Sequence, residues 1–243
     1  MKLYDGIISD TEEALAAFTP RIYPYDRERI WKDRGVSELI LLRDAAFELG
    51  GRGHASVGYL CTTTSPLVSE DEVYVYGPDL PEITEDVDFA KIVYLVTDDL
   101  HEDTDSEAAF RAIRNMSFVR YHVFPAGYMA RVSSESNEEQ VRVSKKVVRA
   151  GIRFAYVGAA YIRKYREIPE VKHVRVIFIT EPSIVAALRP NAAKVDDITK
   201  TLTHILDGLP TDCGHCSMKA VCDEVEGMRE LHLGKKAAPG KGV

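Results

Sequence analysis

Lys91-Ile92-Val93-Tyr94-Leu95-Val96-Thr97 decides the fold of this chain. The run is almost continuously apolar and far too short to cross a membrane, which is the pattern of a β-strand covered on both faces. A strand of that kind sits inside a sheet with layers above and below it. Its companions are legible on either side. Ser56 to Thr62 places Val57, Tyr59 and Cys61 on one face, and Glu72 to Tyr76 sets Val73 and Val75 opposite Tyr74 and Tyr76. Lys172 to Thr180 reads as a further strand with Val174, Val176 and Phe178 aligned, and Gly77-Pro78-Asp79 makes a turn.

Helical periods fill the intervals. Asp10 to Phe18 reads as a short helix with an acidic first turn, ended before Pro20. Ser37 to Leu49 reads as a core element, closed by the Gly50-Gly51-Arg52-Gly53 turn. Ala109, Phe110, Ile113 and Met116 recur at helical spacing after the acidic stretch Asp98 to Asp105, itself a solvated loop without the spacing of a calcium site. Ser136-Asn137-Glu138-Glu139 has the form of a capping box and predicts a helix through Val141, Val147 and Val148 to Gly151. Tyr156 to Tyr165 predicts another helix. Glu181-Pro182 opens a short one, and Thr199 to Asp207 forms a last piece stopped by Gly208 and Pro210. The expectation is a mixed α/β domain over 1–208, a mixed sheet flanked by helices, with a cysteine-rich appendage over 209–234 and a tail over 235–243.

Composition narrows the partners. The chain has 243 residues, 45% hydrophobic and 28% charged, with a formal net charge of -7. An acidic balance without a basic stripe argues against nucleic acid. The absence of an apolar N-terminal run or a long apolar span argues against a signal peptide and a membrane partner. Four unevenly spaced cysteines do not make a secreted disulfide framework, so the reading places the protein in a reducing, cytoplasmic compartment.

The chemistry is concentrated near the end, in Asp212-Cys213-Gly214-His215-Cys216-Ser217-Met218-Lys219-Ala220-Val221-Cys222. Three of the four cysteines fall in ten residues, spaced C-x2-C-x5-C. A C-x2-C pair on a turn converges two thiolates on one metal or cluster, and a third sulfur shortly after adds a third ligand. Core thiols rarely cluster with Gly, His, Ser and Asp between them. The spacing with one more ligand suits a [4Fe-4S] cluster, and a Cys3His set is equally an ordinary structural zinc site. The fourth ligand is His232, Cys61 or an open coordination position. His232 offers an imidazole, whereas Cys61 has the better chemistry for iron but lies on an expected strand face where a buried small residue is the commoner reading.

Three further segments carry a resemblance. Val73-Tyr74-Val75-Tyr76-Gly77-Pro78-Asp79-Leu80-Pro81-Glu82-Ile83 is similar to a segment of the middle domain of acetyl-CoA synthase, the nickel–iron–sulfur component of the carbon monoxide dehydrogenase/acetyl-CoA synthase complex. Val141-Arg142-Val143-Ser144-Lys145 with Gly151-Ile152-Arg153-Phe154 resembles a second segment, and Val174-Arg175-Val176-Ile177-Phe178-Ile179-Thr180-Glu181 a third, in the family's order. The resemblance implies that Cys213 and Cys216 stand at the family's C-x2-C pair and Cys222 at its third cysteine, with His232 where the family has its fourth. It further implies a CoA-binding cleft near Phe124 to Arg131, where Arg131, Arg142 and Lys145 are candidates to meet a CoA phosphate; a solvated basic face is the plainer reading of those three. The family's nickel-binding C-G-C tripeptide has no counterpart, since no C-x-C occurs in the sequence.

The expected function is therefore an iron–sulfur protein related to acetyl-CoA synthase, in an accessory or electron-transfer role in anaerobic one-carbon metabolism, docking a redox or corrinoid protein. Two alternatives come from other classes: a zinc-stabilised binding module without redox function, and an enzyme that uses an open metal site for methyl, acyl or CO transfer.

Overall fold

The computed structural model describes residues 3–32, 40, 42–51, 53–100, 105–132 and 138–207. In chain order these form α1 (Asp5–Leu15), β1 (Arg21–Pro24), β2 (Ala46–Leu49), β3 (Ser56–Thr63), β4 (Glu72–Tyr76), β5 (Phe89–Thr97), α2 (Ser106–Phe118), β6 (Tyr128–Val132), β7 (Glu139–Ser144), α3 (Lys145–Arg149), α4 (Phe154–Tyr165), β8 (Val171–Ile179) and α5 (Pro182–Leu206). The cysteine-rich stretch 209–234, with Cys213, Cys216, Cys222 and His232, lies outside the described residues, as does the tail.

Five strands make a mixed sheet in the order β1-β4-β8-β5-β3. β4 runs parallel to β8 and β3 parallel to β5, while β5 and β8 are antiparallel, as are β1 and β4. The apolar run sits one strand in from the β3 edge, and every residue of β5 is buried. Alternation along each strand divides the core in two. Val73, Val75, Val93, Leu95, Val176 and Phe178 face one way, against α4 and a second sheet. Tyr59, Cys61, Tyr76, Ile92, Tyr94 and Ile177 face the other way, against α1 and α5. Each fully buried aliphatic or aromatic side chain contributes about 1.5–3 kcal/mol, so the two-sided sheet is the main source of stability.

On the first side, Phe154 and Phe178 stack at a ring-centroid separation of 4.5 Å, with Phe89 at 6.0 Å from Phe154. α4 lies close against β4 because Gly158 leaves room: a Cβ there would come within 2.3 Å of Val73 Cγ2. On the second side a buried polar chain threads the helices. Asn191 Nδ2 donates to Thr11 Oγ1 at 3.2 Å, and Thr11 Oγ1 donates to the Ile7 carbonyl at 2.6 Å. Thr11 and the Tyr59 hydroxyl lie 2.9 Å apart, which ties α5, α1 and β3 together.

Two expectations change. Glu139 to Ser144 is not the start of a helix but strand β7, the centre of a separate antiparallel sheet ordered β2-β7-β6. Val141 and Val143 are buried in the first core cluster while Arg142 between them turns to Glu48 on β2, an alternation of faces that the capping-box spacing masks. The helix begins only at Lys145, where Ser144 Oγ accepts from Val147 N at 3.4 Å. The pieces expected at Glu181-Pro182 and Thr199 to Asp207 are the two ends of one 25-residue helix, α5, which continues through Pro190. A proline there removes a backbone donor and crowds the preceding turn. Ile184, Val185, Leu188, Val195, Ile198, Leu202 and Ile205 bury one continuous stripe and hold the helix despite it.

Candidate functional site

The three segments that carry the family resemblance are physically one unit. β4 lies hydrogen-bonded beside β8, with Val73 opposite Val176 and Val75 opposite Phe178. The turn after β4 then reaches α4 through Asp79, a carboxylate only 2% exposed. Asp79 Oδ1 accepts from Leu80 N at 2.7 Å and from Phe154 N at 2.9 Å, so one side chain caps both the 3-10 turn Leu80–Glu82 and the first turn of α4. Tyr23 donates to its other oxygen at 3.2 Å. Gly77, with φ of 89°, supplies the left-handed turn that brings Asp79 round; a Cβ there would lie 2.7 Å from Thr180 Oγ1.

Beneath this unit lies a sealed ionic hub that the sequence reading missed. Lys91, at the start of the apolar run, turns toward the three-stranded sheet and donates to Glu139 Oε1 at 2.5 Å. The two side chains are 2% and 0% exposed. Lys91 Nζ also stands 3.8 Å from the centroid of the Tyr161 ring on α4, a cation–π contact. Glu139 is anchored by its backbone N–H, which donates to Ser56 Oγ at 2.8 Å. Gly58 on β3 makes space for the carboxylate, since a Cβ there would lie 2.7 Å from Glu139 Cβ. Arg120 adds a second positive charge and donates to the Gly58 carbonyl at 3.1 Å.

Burial lowers the Lys91 ammonium to about 8; the neighbouring Glu139 carboxylate pulls it back up, and Arg120 adds to the lowering. Burial also holds the phenols of Tyr128, Tyr161 and Tyr165 well above the usual tyrosine range. Those three hydroxyls, with Glu139 Oε2, have no hydrogen-bond partner among the described residues and almost no exposure. A group of orphaned polar atoms around a buried charge pair is a natural place for internal water. Chemically the hub is a proton-holding pair, closed to any substrate, that pins β7 to the middle of the large sheet.

The residues expected to meet a CoA-type ligand are only partly gathered. Arg131 on β6 is exposed. It pairs with Gln140, and Arg142 is the next same-face residue on β7, so the two arginines share one face of the small sheet. Arg142 Nε faces Glu48 Oε1 at 3.2 Å and is buried. Lys145 lies apart, its Nζ 5.0 Å from the Phe47 ring, and Phe47 pairs with Val143 on the opposite face. Cys61 is fully buried on β3 in the cluster against α1 and α5, and burial pushes its thiol well up. Among the described residues no group of three or more His, Cys, Asp or Glu could hold a metal, and no helix is long and apolar enough to cross a membrane.

The architecture is that of a mixed α/β protein in which the family-like segments build one face of the sheet. Over residues 36–185 the sequence matches the family described as the CO dehydrogenase/acetyl-CoA synthase complex beta subunit, and the chain belongs to that family. No curated protein matches it.

Proposed function

We propose that this protein is an iron–sulfur member of the CO dehydrogenase/acetyl-CoA synthase family that works beside a protein partner in one-carbon metabolism, as an accessory or electron-transfer component. The observation that carries the reading is the family match, which ends at residue 185, followed in the same chain by the C-x2-C-x5-C motif. The donor set fits the group: three thiolates and an imidazole are soft and borderline ligands suited to iron–sulfur or zinc, and not to magnesium or calcium. Cys213, Cys216 and Cys222 would supply thiolates, and the cluster would supply one-electron chemistry.

For the fourth position this reading takes His232 over Cys61. Recruiting Cys61 would require drawing a thiol out of the α1 and α5 side of the core, where it packs with Tyr59, Tyr94 and Ile177. A CoA-type ligand at Arg131 and Arg142 would have to displace Glu48 from Arg142 or use Arg131 alone. The test is ligand substitution on anaerobically prepared full-length protein. Cys213→Ser or Cys216→Ser removes the thiolate-to-iron absorption, His232→Ala alters the cluster's redox potential, and Cys61→Ala leaves both unchanged. A chromophore indifferent to Cys213 and Cys216 would end this reading, and a colourless protein that loses one zinc in those variants would replace it with the structural-zinc alternative.

A further inference from the structure

On an acidic chain, one small pocket runs the other way. Tyr25, Arg27, Asp71, Arg163, Arg166 and Glu167 enclose a cavity of about 370 Å³ between the end of β1 and the last turn of α4. It is distinct from both the ionic hub and the Arg131 and Arg142 face.

The charges in it are unevenly satisfied. Asp71 is tied to the framework: its Oδ1 accepts from Val174 N at 2.9 Å, and its carbonyl accepts from Tyr25 N at 2.9 Å. Arg166 donates to the carbonyls of Val171 and Lys172 and faces Asp71 Oδ2 at 3.7 Å. Glu167 takes Lys164 at 2.5 Å, although Arg163 stands four residues before it at a spacing that favours pairing. Arg27 and Arg163 are left with no hydrogen bond or ion pair among the described residues. Arg163 is the anomaly, because its Nη2 is buried and has no hydrogen-bond partner among the described residues. A buried donor without an acceptor is costly, so a guanidinium held this way is prepared for an anion.

We propose that this pocket binds a small phosphorylated organic molecule, its phosphate held between Arg27 and Arg163. Two planar guanidiniums without counter-ions match the charge and the oxygen geometry of a phosphate monoester. The cavity falls within the range of small-ligand sites and is larger than a bare anion needs, and the Tyr25 ring gives it one flat, partly apolar wall. Arg166 and Asp71, locked to backbone, set the shape of the floor and do not compete for the ligand.

The reporter is built in. Trp31 is the single tryptophan of the chain and packs edge-on against Tyr156 at 5.8 Å. Tyr156 lies two turns before Arg163 on the same face of α4, roughly 10 Å away along the axis. Calorimetric titration of the full-length protein with glycerol phosphate, inorganic phosphate and succinate, followed in parallel by tryptophan fluorescence, tests the site. The phosphate monoester binds saturably, and Arg27→Ala and Arg163→Ala each weaken it by about tenfold or more. Arg149→Ala, an exposed arginine outside the pocket, leaves it unchanged. Inorganic phosphate binding as tightly as the monoester identifies the free ion as the source of the same chemistry, and tighter monoester binding identifies the organic one. Absence of saturable binding by either phosphate, or binding that survives both Arg27→Ala and Arg163→Ala in variants that melt like the parent, overturns the proposal. Succinate binding as well as the phosphates overturns its phosphate specificity.

Discussion

Replacing Glu139 by Gln removes the negative half of the Lys91–Glu139 pair and keeps its shape. In the parent, the Lys91 ammonium is sealed from water, 2.5 Å from its counter-ion and 3.8 Å from the Tyr161 ring. In Glu139→Gln it keeps the ring and loses the charge. Breaking one side of a buried pair costs about 3–5 kcal/mol, because the remaining ion stays desolvated. The cost has a pH signature. Lys91 titrates at about 8 in the folded protein, below the ordinary lysine value of 10.5, so the unfolded chain holds more protons between those values. Its contribution therefore rises with pH through that window, by about 1.4 kcal/mol per unit at most, and is lost as pH falls through about 8. Without Glu139 the folded-state value drops further, since the carboxylate was raising it. Lys91 can then shed its proton, and the penalty of the substitution shrinks as the solution becomes alkaline. Urea unfolding of parent and variant at pH 7 and pH 9.5 measures this directly. A destabilisation below about 1 kcal/mol at pH 7, or one that is equal at the two pH values, would refute the buried-pair reasoning.

Four further outcomes follow from the geometry. Lys91→Met combined with Glu139→Leu is less destabilised than either single variant, by a coupling of about 1–3 kcal/mol in a double-mutant cycle; strictly additive costs would contradict the pairing. For the parent, stability falls above about pH 10, because Tyr4, Tyr59, Tyr94, Tyr128, Tyr161 and Tyr165 keep their protons when folded and the unfolded chain loses them; a rising curve there would contradict their burial. Gly158→Ala drives a methyl to within 2.3 Å of Val73 Cγ2 and lowers stability by about 1–3 kcal/mol, and a neutral result would mean that α4 does not approach β4 as described. Pro190→Ala restores a missing helix hydrogen bond and raises the melting temperature; a drop would show that Pro190 is not inside a continuous α5.

Strands covered on both faces were the most legible part of the fold. Lys91 to Thr97 is apolar enough that only an interior strand explains it, Lys172 to Thr180 shows a strand's aligned face in Val174, Val176 and Phe178, and β5 and β8 lie side by side within the large sheet. The alternation of Val73 and Val75 against Tyr74 and Tyr76 likewise told which residue faces which layer. β7 was misread because Ser136 to Glu139 imitates a helix start and Val141, Val147 and Val148 fit a helical stripe. The competing signal, Val141 and Val143 about a charged Arg142, is only a few residues long. α5 was cut in two because a proline and a stretch of polar residues look like a break when the sheet that supports the helix is not in view. The ionic hub was invisible for a different reason. A lysine at the head of an apolar run reads as a strand-edge charge, and its partner lies 48 residues away on another sheet. Arg131, Arg142 and Lys145 were grouped by the resemblance to a CoA-binding cleft, whereas β7 and α3 send Arg142 and Lys145 to different surroundings.

The central claim is that this family member carries an iron–sulfur cluster on Cys213, Cys216 and Cys222. Iron and acid-labile sulfide content of the full-length protein, purified without oxygen, tests it most directly. The account predicts about four of each per chain, reduced to background by Cys216→Ser. Protein with one zinc and no sulfide would contradict it.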